Sequence, residues 1–342
     1  GVVLAQSIDI ETPADGTVTP AKIVSGQDFT FNSVTVGKGA NSVAGNTVLG
    51  ESALDASVTG GNNTAIGKQA LTTNTSGSRN VAIGARAAEL NTTGSSNVVI
   101  GYEVFEDNTT GSRNIAIGDS AMEVSTTGNN NAAIGHEALL SNTTGNSNVA
   151  VGKDALRANT TASNNTAVGT DALTANTTGT QNTAVGGESL DANTTANNNT
   201  GLGYRTLTAN TTGAENTAIG SAALKANTTA SSNTAVGRSA LEVNTTGAEN
   251  AAFGSNSLDA NTTGSSNTAL GYVALSGNST GSSNTAVGHD SLVANTTASN
   301  NTAVGKDALK ANTTGTNNIA IGKGALDANT TNNRNVAIGN NA

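Results

Sequence analysis

Apolar, small and polar residues recur along this chain with a fixed period of 17 residues, beginning at residue 46. The unit that opens at Asn165 reads Asn-Thr-Ala-Val-Gly, two variable residues, Ala-Leu, two more, Asn-Thr-Thr-Gly and a variable pair. We number the opening Asn as position 0, so that Gly169 lies at +4, Leu173 at +8 and Asn176 at +11. An uninterrupted period of this length is typical of solenoids and fibres, because each unit stacks on an identical neighbour.

Within one unit, the first five residues predict a short strand with the +1 and +3 side chains on one face and +2 on the other. Gly at +4 never changes, which indicates a positive φ or a close approach of another backbone. Asn-Thr-Thr-Gly predicts a second turn, with Asn and Gly in left-handed conformations. Two short strands and two turns make one coil of an all-β parallel β-roll or narrow β-helix.

Stacked coils predict a rod. Neighbouring coils hydrogen-bond along the axis with a rise of about 4.8 Å, so the eighteen units from 46 onward give roughly 85 Å. The Asn columns at 0 and +11 are expected to form side-chain amide ladders, as Asn does in stacked β structures.

The apolar columns indicate a partner chain. One coil has only the +3 aliphatic residue, the +8 Leu and a few Ala to bury, which is marginal against the entropy of ordering a lone chain. Apolar or small residues occupy both faces of the strand, and Ala at +2 has the size that close approach between backbones requires. One face is therefore expected to fill the coil and the other to pack against sister chains in a side-by-side or intertwined homotrimer, with a dimer as the less favoured arrangement.

Composition narrows the function classes. The chain has no Cys, no Trp and a net charge of −9, which argues against disulfide frameworks and against nucleic acid. No stretch approaches the roughly 20 apolar residues of a membrane span. Acidic residues form no recurring pair, and phosphate-binding or dinucleotide motifs are absent, so neither an enzyme nor a cofactor is expected. Adjacent Thr residues at +12 and +13 do not face one way, which disfavours an ice-binding array.

Position +5 is the most varied in chemistry and holds every Tyr and His of the chain: Tyr102, Tyr204, Tyr272, His136 and His289. Such tolerance favours an exposed column with no shared role. The alternative is an edge in which the three Tyr contact a glycan or protein receptor through their amphipathic rings. The two His lie nine coils apart, so they are not expected to share a metal within one chain.

Strand units such as 80–84 and 318–322 (Asn-x-Ala-Ile-Gly) resemble the head repeat of YadA-type trimeric autotransporter adhesins. In that family, a shorter unit builds a parallel β-roll that trimerises. The longer unit with Asn-Thr-Thr-Gly resembles repeats of phage tail-fibre-like proteins, and residues 15–23 resemble linkers near the start of phage fibre proteins. The resemblance implies a trimeric fibre, and no membrane insertion is expected because no stretch of the chain is apolar enough.

Three segments follow from these patterns. Residues 1–31 are predicted to attach the chain to a virion tail, baseplate or other fibre protein, residues 32–45 to form a shortened first coil, and residues 46–342 to form the shaft. The expected function is an extracellular phage tail fibre shaft that extends toward a host receptor. The alternatives are the head of a bacterial surface adhesin and a surface filament subunit without a receptor of its own.

Overall fold

A computed structural model describes residues 28–342 and places one short strand in each 17-residue coil. A 3-10 helix spans Ala40–Ser42. The strands are Phe29–Phe31 (β1), Val34–Gly37 (β2), Thr47–Gly50 (β3), Thr64–Ile66 (β4), Val81–Ile83 (β5), Val98–Ile100 (β6), Ile115–Ile117 (β7), Ala132–Ile134 (β8), Val149–Val151 (β9), Thr166–Val168 (β10), Thr183–Val185 (β11), Thr200–Leu202 (β12), Thr217–Ile219 (β13), Thr234–Val236 (β14), Ala251–Phe253 (β15), Thr268–Leu270 (β16), Thr285–Val287 (β17), Thr302–Val304 (β18), Ile319–Ile321 (β19) and Val336–Ile338 (β20).

Strands β3 to β20 form one parallel sheet in which each residue pairs with its equivalent in the next coil, as Ala167 does with Ala184. The predicted all-β parallel solenoid of 17-residue coils is confirmed. The expected second strand is not formed, because that half of the coil consists of turns. Its backbone nevertheless bonds along the axis: the N–H of Leu173 donates to the carbonyl of Ser189 at 3.0 Å.

The core is a narrow column built from positions +2, +7 and +8. In the coil that opens at Asn165, Ala167, Ala172 and Leu173 are all fully buried, while Val168 at +3 is only partly buried. The expectation that the +3 aliphatic residue is buried and that Ala at +2 meets a sister chain was therefore wrong. The coil is too narrow for large side chains from both halves, so Ala on the strand packs against Leu on the turn.

Left-handed residues lie elsewhere than the sequence predicted. Asn176 and Gly179 do not adopt positive φ, whereas Asp171 at +6 and Leu173 at +8 do, with φ of 57° and 53°. Gly169 at +4 has a φ of 135°, and a Cβ there would lie 2.7 Å from the carbonyl carbon of the next glycine in its column. Both reasons given for the constant glycine at +4 are confirmed.

Two buried Asn ladders run along the solenoid. At position 0, the Asn165 Oδ1 accepts the backbone N–H of Asn182 at 2.9 Å, and its Nδ2 donates to the Gly179 carbonyl at 2.9 Å. At position +11, the Asn176 Nδ2 donates to the Asn159 Oδ1 at 3.1 Å, and the same bond to the coil before recurs along the Asn column except where Ser125 interrupts it. The ladder at +11 is the amide ladder that was predicted, while the ladder at 0 works mainly through the backbone.

The N-terminal end of the solenoid carries an antiparallel hairpin. Strand β1 pairs antiparallel with β2, and β2 pairs antiparallel with β3. Within the predicted shortened first coil 32–45, β2 is not a parallel coil strand, because it runs in the opposite direction to the strands that follow. The residues after it do bond to the next coil: the Ala40 N–H donates to the Leu54 carbonyl at 3.1 Å. Residues 1–27 lie outside the described residues, and so does most of the predicted attachment segment 1–31.

Candidate binding surfaces

The +1 and +3 side chains of β3–β20 point away from the core and form what we term the outer strand face. The alternation of buried and partly exposed residues in each strand places them there, as in Thr166–Val168. In β3–β20 none of these positions holds a charged residue: +1 is Thr, Val, Ile or Ala, and +3 is Ile, Val, Leu or Phe. The face is about 80 Å long and about 10 Å wide, which gives about 800 Å².

More than half of the +1 side chains are Thr, so the apolar part of this face is mainly the +3 column. A continuous apolar column of this length is unusual on a lone soluble protein, whose contiguous apolar patches rarely exceed a few hundred Å². Several +3 side chains are well exposed, with Leu202 at 45% and Leu270 at 49%. About 800 Å² per partner is the area of a standard protein–protein interface. The outer strand face therefore has the size and chemistry of an interface.

Positions +5, +6 and +9 form a second surface, the charged edge. Near its N-terminal end, Arg86 joins carboxylates from two coils: its Nε donates to Glu89 at 2.7 Å, its Nη1 to Glu103 at 2.6 Å, and its Nη2 to Glu106. These bonds raise the pKa of Arg86, while burial raises the pKa of Glu106. The single guanidinium faces three carboxylates, so the cluster keeps a net negative charge.

A second cluster of the charged edge brings His136, Glu137 and Asp154 together, with potential ligand atoms within 4.8 Å of one another. Both carboxylates are already engaged by cations. Arg157 bonds to Glu137 and lies 3.7 Å from Asp154, and Lys153 pairs with Asp154. These contacts raise the pKa values of Lys153 and Arg157, as expected for cations held by carboxylates. The cluster is an ion-pair network rather than an open set of metal ligands.

The three predicted contact residues Tyr102, Tyr204 and Tyr272 are all about half exposed on this edge. They lie in separate coils, roughly 29 and 19 Å apart along the axis, so the fold does not gather them into one platform. Each has local partners instead. The ring of Tyr272 lies 5.3 Å from that of His289 in the next coil, and the guanidinium of Arg205 lies 5.2 Å from the ring centre of Tyr204.

Glu188 links the Tyr204 site to the coil before it. Its two carboxylate oxygens accept from the Tyr204 hydroxyl at 3.3 Å and from the Arg205 Nε at 2.6 Å, which lowers the pKa of Glu188. Asp191 lies on the same edge, and its Oδ1 is buried without a hydrogen-bond partner. Burial, together with the charges of Glu188 and Asp171, raises the pKa of Asp191. Sequence reasoning missed this orphan oxygen, because only the coil geometry buries it.

Comparisons with protein-family models, with curated proteins and with solved structures found no match to this chain. Within residues 28–342, no helix is long and apolar enough to cross a membrane.

Proposed function

We propose that this chain is a structural fibre protein whose solenoid forms the shaft of a homotrimeric phage tail fibre reaching toward a host receptor. A rod of stacked coils with one core and continuous hydrogen bonds along its axis is suited to hold something at a distance. The ion-pair networks of the charged edge tie neighbouring coils together and present no catalytic arrangement. In this proposal the shaft is extracellular, and receptor contact belongs to its ends or to the exposed Tyr side chains.

The outer strand face is the observation that carries the proposal. It is uncharged over its whole length in β3–β20, while the acidic side chains of the coils lie at other positions of the repeat. Copies of the chain that run parallel around one axis present identical columns to one another at the same level. Packing of this face would bury the aliphatic column that a lone chain leaves in water.

Light scattering coupled to size exclusion tests the assembly. We expect a mass three times that of the 33.4 kDa chain. The double variant Val168→Lys, Val236→Lys places charges on the outer strand face and is expected to give monomers with an unchanged circular dichroism spectrum, since neither residue lies in the core. Thr170→Lys on the charged edge is the matched control and is expected to keep the parent mass. A monomeric parent protein would defeat the proposal.

The head of a bacterial trimeric adhesin is the second candidate, and it is favoured by the strand units of the form Asn-x-Ala-Ile-Gly. It predicts the same rod and the same interface, so the mass does not separate the two. The coding sequence that follows residue 342 does: a membrane-anchor barrel there would support the adhesin and exclude the phage fibre. Electron micrographs of the rod ends, on virions or on cells, provide the direct comparison.

A further inference from the structure

The outer strand face repeats every coil, which leaves the axial alignment of neighbouring copies poorly defined. Two copies shifted by one coil, about 4.8 Å, would lose the contacts of one coil and keep the rest. A uniform repeat therefore favours the level alignment of neighbouring chains only weakly over a shifted one, just as strands of uniform sequence pair in more than one register. A shaft with a defined length and end needs a feature that occurs once. This argument rests on the assembly proposed above.

The N-terminal hairpin supplies a feature that occurs once on this same face. Directly paired residues in antiparallel strands point to the same side of a sheet. Val36 pairs with Leu49 at the start of the +3 column and with Phe29 on its other side, so all three side chains lie on one surface. Phe31 and Val34 form the next pair of that surface. The hairpin thus extends the outer strand face beyond the first coil.

These hairpin side chains are exposed in the single chain, with Phe29 at 42%, Phe31 at 60% and Val36 at 47%. The repeat itself offers mostly β-branched aliphatic residues and Thr at this surface. Two neighbouring Phe side chains at one end therefore make the hairpin chemically distinct. Aromatic side chains bury large areas and dominate the energetics of interfaces.

The hairpin is fastened to the solenoid end. The Asp28 carboxylate accepts the backbone N–H groups of Lys38 and Gly39, each at 2.6 Å. Gly37 makes room for it, because a Cβ there would lie 2.0 Å from the Asp28 Oδ1. Held where β1 begins and β2 ends, and paired along β2 with β3, the hairpin can transmit a fixed position to the coils.

We propose that the hairpin 29–37 sets the axial register of the assembled copies, with Phe29 and Phe31 of each chain packing against the same residues of its neighbours. Contact between hairpins is made only when the chains are level. A shift by any number of coils exposes the aromatic residues again and places them against dissimilar side chains.

Cross-linking of single cysteines tests the register, since the chain has no Cys of its own. One set of chains carries Thr183→Cys and another Thr234→Cys, both on the outer strand face and about 14 Å apart along the axis. The two sets are refolded together and treated with a bis-maleimide reagent shorter than that distance. In the parent background we expect cross-links only between like positions.

The variant Phe29→Ser, Phe31→Ser is expected to keep its trimeric mass, to lose about half or more of the like-position cross-links, and to gain cross-links between positions 183 and 234. Phe253→Val is the matched control, because it removes another aromatic side chain of this face from the middle of the shaft and is expected to leave the pattern unchanged. If the hairpin variant retains only like-position cross-links, the register proposal is overturned while the assembly stands. A parent protein with monomeric mass and no cross-links at all would instead reject the assembly.

Discussion

Two alanine substitutions within one coil can show whether glycine is required for its backbone conformation or only for lack of space. Gly169 and Gly179 both lie against the next coil. A Cβ at Gly179 would come within 2.3 Å of the Ala196 carbonyl oxygen, closer than the 2.7 Å at Gly169. Crowding alone would thus make Gly179→Ala the more damaging change. Backbone conformation instead makes Gly169→Ala the more damaging change, because of the two glycines only Gly169 has a positive φ, at 135°.

The chain itself shows what position +14 accepts. Ala162 and Ala196 occupy the equivalents of Gly179 in the coils on either side, so small shifts accommodate a methyl group there. We expect Gly179→Ala to change the free energy of unfolding by no more than about 1 kcal/mol.

At Gly169 the strain has no such relief. Its N–H is fixed by the Val151 carbonyl at 2.8 Å, so the backbone cannot rotate without breaking the ladder between coils. An L-residue in this region costs about 1–3 kcal/mol, and overpacking against the neighbouring backbone costs about 1–3 kcal/mol more. Gly169→Ala is therefore expected to destabilise the solenoid by about 2–6 kcal/mol.

Denaturation by guanidinium chloride, followed by circular dichroism, measures both variants against the parent protein. In a solenoid each unit contacts only its neighbours, so the loss is expected to be local. Hydrogen exchange resolved by mass spectrometry should show faster exchange in the coils that flank residue 169, with distant coils unchanged. Equal effects of the two substitutions, or a larger effect of Gly179→Ala, would refute the conformational argument.

Three further changes test the ladders and the charged edge. Asn193→Ala should cost about 1–3 kcal/mol in chemical denaturation, because it removes a ladder donor and deprives the buried Asn210 amide of one of its two acceptors, at 3.0 Å. An unchanged midpoint would contradict this. Asp191→Asn should stabilise the protein at pH 7 in chemical denaturation, since burial raises the pKa of Asp191 and folding therefore favours its neutral form; the gain over the parent should shrink on acidification. Arg205→Gln should lower the melting temperature at pH 7. The pKa of Glu188 is lowered in the folded protein, so its stabilising contribution is present above its unfolded-state pKa and is lost as pH falls through the folded value; the two melting temperatures should converge in acid.

The period and the constant glycine were sufficient to predict the solenoid, because both report directly on stacking. Gly169 has the role that its position indicated, whereas Asn176 forms the expected amide ladder but not the expected left-handed turn. Which strand face points inward was not predictable by the same means, since alternation groups Thr166 with Val168 but does not say which side is the core. Hydrophobicity favoured the larger Val168, whereas the width of the coil selected Ala167. The reversed hairpin was also missed, because its short strands carry no signal of direction.

The left-handed Leu at +8 has a consequence for which sequences can build this shaft. A β-branched side chain is strongly disfavoured at positive φ, because its second branch at Cβ crowds the backbone. The column at +8 holds Leu in most units and otherwise Ala88, Phe105 and Met122, but never Val or Ile, although both abound at +3. The apolar columns at +3 and +8, only five residues apart, therefore accept different sets of side chains. An engineer who lengthens the shaft could vary the outer column freely among aliphatic residues, but should fill the inner one with unbranched or γ-branched side chains, since Val273 at +6 is the one β-branched residue with positive φ in residues 28–342.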